Sequence, residues 1–130
     1  MKIKTFTILA FLLAFHSITA QSIFDKWQAV KEFNEVLSQT YPPAKGGDLE
    51  PVKIRSEEMM IKAEALLKLD IPAEYRTKSI LAFAEKLQLK SKMLHKLVLA
   101  KAPDAEILKS VTELNNTFQD IVGIPPAEKK

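Results

Sequence analysis

Apolar residues recur at helical spacing four times along this chain, and no stretch alternates them with polar residues as a strand would. At ~100° per residue, Ile23, Trp27, Val30, Asn34, Leu37 and Tyr41 fall on one side of a first helix. A carboxamide, Asn34, thus takes a place the spacing assigns to the core. The stretch that carries it, "FNEVLSQTYPPAKGGDLEP", breaks at its prolines into a Pro-Gly loop. A second run buries Val52, Met59, Ala63 and Leu66 and ends near Asp70. Asp48 is placed to cap it, Glu50 suits the first-turn dipole, and Pro51 is tolerated there. After the connector "DIPAEYRT", with one helical turn at Pro72, Thr77 caps a third helix whose face is Ile80, Phe83, Ala84, Leu87, Leu94 and Val98. "KAPDA" breaks the chain again, and Asp104 caps a fourth helix that buries Ile107, Val111, Leu114, Phe118 and Ile121. Gly123 and the two prolines after Ile124 stop it.

Short connectors place sequence neighbours antiparallel, so the predicted fold is all-α, an antiparallel up-down-up-down four-helix bundle over residues 21–124. Residues 125–130, "PPAEKK", read as a disordered tail. Trp27 and Phe118 are expected to be buried close together, on the adjacent first and last helices. The first twenty residues stand apart. Lys2 and Lys4 precede the compact apolar run "FTILAFLLAF", and "HSITA" ends in Ala20 before Gln21. That is the anatomy of a secretory signal peptide cleaved after Ala20, and its apolar run falls below the ~20 residues of a retained membrane anchor. The expected location is therefore outside the cytoplasm, periplasmic or secreted, with no membrane anchor after cleavage.

Charge matters only after that removal. The 19 basic and 16 acidic residues become 17 and 16 once Lys2 and Lys4 are gone, a net +1. Lysines gather between Lys78 and Lys101, with Glu85 the only acid among them, but "DAEILKSVTELNNTFQD" is acidic and could lie alongside. Opposed stripes describe a solvated bundle surface, and no unopposed basic face with interleaved aromatics points to nucleic acid. Cysteine is absent, which excludes disulfides, thiolate nucleophiles, Fe–S clusters and covalent haem attachment.

Candidate chemistry is sparse. His95, the one histidine of the mature chain, lies at the edge of the third helix's apolar face, as an amphipathic boundary residue or a ligand. Met93 diverges from it by about 160° on the wheel, so the two cannot share an ion. Met59 is core filling, and Glu57 and Glu58 are adjacent and diverge around their helix. No Ser-His-Asp order, phosphate loop or Glu-x-x-His motif occurs, so no enzymatic activity and no cofactor are expected. The remaining signal is amide. Asn115 and Gln119, one turn apart, flank Leu114 and Phe118, and could face Asn34 across the first and last helices. An unpaired buried amide costs about 1–3 kcal/mol, so these three form either a hydrogen-bonded cluster fixing register or a binding site. Ile54 with Ile61, and Leu89 with Met93, share the outer faces of the second and third helices and could make a contact patch.

The frames "FNEVLSQTYPPAKGGDLEPV", "EEMMIKAEAL", "IPAEY", "KAPDAEI" and "LNNTFQDIVG" resemble a family of small exported four-helix-bundle proteins of Bacteroidota-type bacteria, over nearly the whole mature chain. The resemblance implies the bundle and the export. In that family histidines recur after the helix-one phenylalanine, before the loop proline, and as a pair one turn apart on the last helix, which implies a metal or haem site. The matching positions here are Asn34, Pro42, Asn115 and Gln119, so the histidine motifs are replaced and metal binding does not carry over. The expected protein is an exported, non-catalytic binding or interaction protein of the cell envelope. It has lost an ancestral metal site, and its partner is an envelope protein or a small ligand. The alternative is a weak b-type haem or metal carrier related to four-helix cytochromes, with His95 as ligand.

Overall fold

A computed structural model describes residues 23–124; the expected signal peptide, residues 1–20, and the expected tail, 125–130, lie outside the described residues. The protein is all-α, with no strand among those residues. Four helices follow in order: α1 (Gln28–Lys45), α2 (Glu50–Lys68), α3 (Lys78–Leu99) and α4 (Asp104–Gly123), with a 3-10 turn at Ala73–Tyr75 between α2 and α3. Each packs on its neighbour in sequence, and α1 also touches α4. No helix of the described residues is long and apolar enough to cross a membrane.

The face of α1 differs from the one the spacing predicts. Residues 23–26 form a helical turn, but Trp27 is extended (φ −120°, ψ 93°) before the helix resumes. A phase counted from Ile23 and Trp27 therefore does not carry through to α1. The buried residues of α1 are Ala29, Val30, Phe33, Val36, Leu37, Thr40 and Ala44. Asn34 and Tyr41 are half-buried at the edges. The ring of Phe33 packs on that of Phe118, with centroids 5.0 Å apart. Trp27 and Phe118 are both buried as expected, yet each pairs with another ring, Trp27 stacking on Tyr75 at 5.8 Å.

Nor do the prolines end α1, which runs through Pro42 and Pro43 to Lys45. Their fixed φ suits a helix, and what they remove is two N–H groups. The carbonyls left without a helical donor belong to Ser38 and Gln39, both exposed, so water can satisfy them. The helix stops four residues later than the sequence suggests. The Gly47 N–H bonds to the Ala44 carbonyl (3.0 Å), the Asp48 N–H to that of Pro43 (2.9 Å), and Gly47 takes φ 101°. Here a left-handed residue is required, and glycine supplies it.

The other helices follow the sequence closely. Leu49, not Asp48, takes the N-cap position of α2, and Asp48, one place further out, accepts the Glu50 N–H on Oδ1 at 3.1 Å. Val52, Met59, Ala63 and Leu66 are all buried, joined by Ser56. Thr77 Oγ1 accepts the Ile80 N–H at 3.2 Å, the cap its position predicts. On α3, Ile80, Ala84, Leu87 and Leu94 are buried, while Phe83 and Val98 are half-buried. All five predicted core residues of α4 are buried. Asp104, however, does not cap α4. Pro103 is extended and offers its carbonyl to the N–H groups of Glu106 and Ile107, and the Asp104 carboxylate accepts from Lys53 Nζ at 3.1 Å instead.

Candidate functional site

The buried polar residues are hydroxyls rather than amides: Thr40, Ser56, Ser91 and Thr117. Three of them return their proton to the helix that carries them, Thr40 to Val36 (2.9 Å), Ser91 to Gln88 (2.8 Å) and Thr117 to Glu113 (3.0 Å), so the core needs no partner for them. Ser56 is different. Its Oγ lies 3.0 Å from Nδ1 of His95 across the α2–α3 seam. His95 is half-buried, at the edge of its helix's apolar face as its spacing predicts. With Ser56 almost wholly buried, the pair joins two helices.

The amide residues are not gathered into the core. Asn34 and Asn115 are half-buried and Gln119 is exposed. No hydrogen bond joins them among the described residues. They sit one place along from the buried residues Phe33, Leu114 and Phe118, of which the two phenylalanines join α1 to α4. Since α1 continues through Pro42, position 42 lies eight residues beyond Asn34 (42 − 34), about 12 Å along the axis. The four positions that the family resemblance aligns with histidines therefore do not converge on one ion. Among the described residues, no cluster of three histidines or carboxylates could hold a metal.

Charged side chains lie on the seams. Lys62 Nζ donates to Glu32 at 2.8 Å and Arg55 donates to Gln39, both across α1–α2, while Arg55 Nε also donates to Glu58 at 2.8 Å. The Lys62 hydrogen bond, then that from Gln28, holds Glu32 below the usual carboxylate range. Arg55 does the same for Glu58. Lys90 bonds Glu113 across α3–α4 at 2.9 Å and lowers it likewise, so the lysine-rich third helix is answered by the acidic fourth. Lys26 meets Glu74 at 3.3 Å beside the Trp27–Tyr75 stack, and the buried Trp27 Nε1 has no hydrogen-bond partner among the described residues.

Among the described residues, two surface cavities open to solvent stand out. One, of about 320 Å³, is lined by Lys53, Val98, Ala102, Asp104 and Ile107 at the turn between α3 and α4. The other, of about 250 Å³, lies between Met93, Leu97, Lys109 and Glu113. His95 lines neither. The remaining surface feature is apolar: Ile54, Ile61, Leu89 and Met93 are well exposed on α2 and α3, with Leu69 and Leu99 at helix ends. The sequence singled out the first four but not Ser56, whose position four residues after Val52 and three before Met59 was the available signal. No family model, curated protein or solved structure matches the chain.

Proposed function

We propose that this is an exported, non-catalytic binding protein of the cell envelope, built as an up-down-up-down antiparallel four-helix bundle, which engages its partner through the outer face of α2 and α3. Support for the antiparallel course comes from pairs at opposite helix ends. Glu32 early in α1 meets Lys62 late in α2, Ser56 early in α2 meets His95 late in α3, and Phe33 meets Phe118 late in α4. The single observation that carries the binding role is the exposure of Ile54, Ile61, Leu89 and Met93 on those two helices. Exposed apolar side chains mark a contact surface where they gather into one patch rather than lie scattered.

Export rests on the n-, h- and c-regions of residues 1–20. The family resemblance adds to this reading the loss of an ancestral metal site at Asn34, Asn115 and Gln119, without position 42, which lies too far along α1 to share it. Intact-mass measurement of the protein recovered from the periplasm or medium tests export: the expected species begins at Gln21, and one retaining residues 1–20 overturns it. The b-type haem alternative has one observation in its favour. Ser56 holds Nδ1 of His95, which leaves Nε2 free for a ligand. Haem titration separates the two, since a Soret shift abolished by His95→Ala would replace the non-cofactor reading.

A further inference from the structure

The exposed large apolar residues are not scattered. Every one among the described residues lies on α2, on α3 or directly after α2 at Leu69, and none lies on α1 or α4. They also recur with charge at heptad spacing. On α2, Ile54 and Ile61 are seven apart, with Glu57 between them; on α3, Leu89 and Lys96 are seven apart, as are Lys92 and Leu99. An apolar stripe flanked by one sign of charge faces outward on each helix, acidic at Glu57 on α2 and basic at Lys92 and Lys96 on α3. Glu57, Lys92 and Lys96 are exposed, and no ion pair takes them up among the described residues. Such a surface is self-complementary.

We propose that the α2–α3 face docks a second copy of this chain about a two-fold axis parallel to the helices. That axis lays α2 of one copy on α3 of the other, and α3 on α2, in two equivalent antiparallel contacts. A two-fold across the helices would instead set α2 on α2 and Glu57 on Glu57, which like charge disfavours. The proposal deepens the binding role above and rests on the antiparallel course of α2 and α3.

Register follows from the Ser56–His95 hydrogen bond, which fixes one level on both helices. A parallel two-fold leaves levels unchanged, so residues at one height meet across it. Ile61 lies five residues from Ser56 (61 − 56) and Leu89 six from His95 (95 − 89), so at ~1.5 Å per residue they sit within about 2 Å of one level. Glu57, one residue along from Ser56, falls between the partner's Lys92 and the partner's Lys96. Ile61 thus meets the partner's Leu89, and Glu57 meets base.

The test is sedimentation of the protein purified from expression of the whole chain, with charge-reversed variants. The wild type is expected as a dimer that weakens with added salt. Glu57→Lys alone, or Lys92→Glu with Lys96→Glu, puts like charges opposite one another and is expected to weaken self-association about 100-fold. Mixing these two variants restores opposite charges at both contacts, so a heterodimer is the expected outcome. Ile61→Asp, at an exposed position, is expected to be monomeric with an unchanged helical spectrum. A wild-type monomer, or a dimer indifferent to all these changes, overturns the proposal. Ser56→Cys with His95→Cys checks the bundle separately. If the disulfide forms but the wild type is a monomer, the surface proposal falls and the antiparallel course stands; if no disulfide forms, both fall.

Discussion

Ser56 and His95 form a polar side-chain contact that fixes two helices at a common level, because Ser56 is buried and its hydroxyl has found a partner on another helix rather than in its own. Thr40, Ser91 and Thr117 are equally polar and yet bond only to the carbonyls of their own helices, so they report little about register. Replacing Ser56 by alanine should lower unfolding free energy by about 1 kcal/mol, and a double-mutant cycle with His95→Ala should return most of that loss as coupling. Urea melts of the four proteins measure it; additive losses would mean that the two side chains are neighbours without a bond worth counting. Asn34 shows what a residue in isolation conceals. Its spacing from Trp27 matches a core position, but the extended backbone at Trp27 breaks the count, and the ring one place earlier, Phe33, takes the interior.

At the level of the helix, ends were harder to foresee than faces. The faces of α2, α3 and α4 were legible because an unbroken 3.6-residue period is a geometric property of the sequence, and burial of Val52, Met59, Leu87 and Phe118 follows from it. Thr77 was legible too, since its hydroxyl has one obvious amide to accept. The end of α1 was not: two prolines read as a stop, whereas in a last turn with exposed preceding carbonyls they remove bonds that water replaces. Asp104 was misread because Pro103 supplies the cap carbonyl and Lys53 claims the carboxylate. The serine partner of His95 was hidden because hydroxyl residues at core spacing look like surface residues until a neighbouring helix is in place. The end of α3 makes a test at this scale. Lys101 adopts φ 54° while its N–H bonds to Val98 (3.1 Å) and that of Ala102 bonds to Leu97 (3.0 Å). A side chain in that left-handed conformation costs roughly 1 kcal/mol that glycine avoids, partly offset by glycine's freedom in the unfolded chain. Lys101→Gly should therefore raise unfolding free energy by about 0.5–1 kcal/mol, and a lower thermal midpoint would contradict the helix end described.

For the molecule as a whole, acid is the informative perturbation. Glu32, Glu58 and Glu113 are each held below the ordinary value of 4.5, first by hydrogen bonds from Lys62, Arg55 and Lys90 respectively. Lowered in the fold, these carboxyls bind protons more readily once unfolded, so their contribution is in place above pH 4.5 and is lost as pH falls through the lower folded values. All three are substantially exposed, at 33%, 44% and 43%, so the effect is modest and is screened by salt. Thermal midpoints should decline from pH 4.5 downward, and less steeply when the three are changed together to glutamine. The Phe33–Phe118 contact has a further consequence, in the order of events during folding. Its rings are 85 residues apart (118 − 33), whereas the extensive contacts α1–α2, α2–α3 and α3–α4 join neighbours along the chain. Closing so long a loop has the greater entropy to overcome, so hairpins of adjacent helices can form before α1 meets α4. Phe118→Ala should then remove about 3–5 kcal/mol almost entirely by hastening unfolding, on the order of 100-fold or more, while the refolding rate in stopped-flow barely changes. The molecule would open first along α1 and α4, and the hairpins of neighbouring helices would come apart after it.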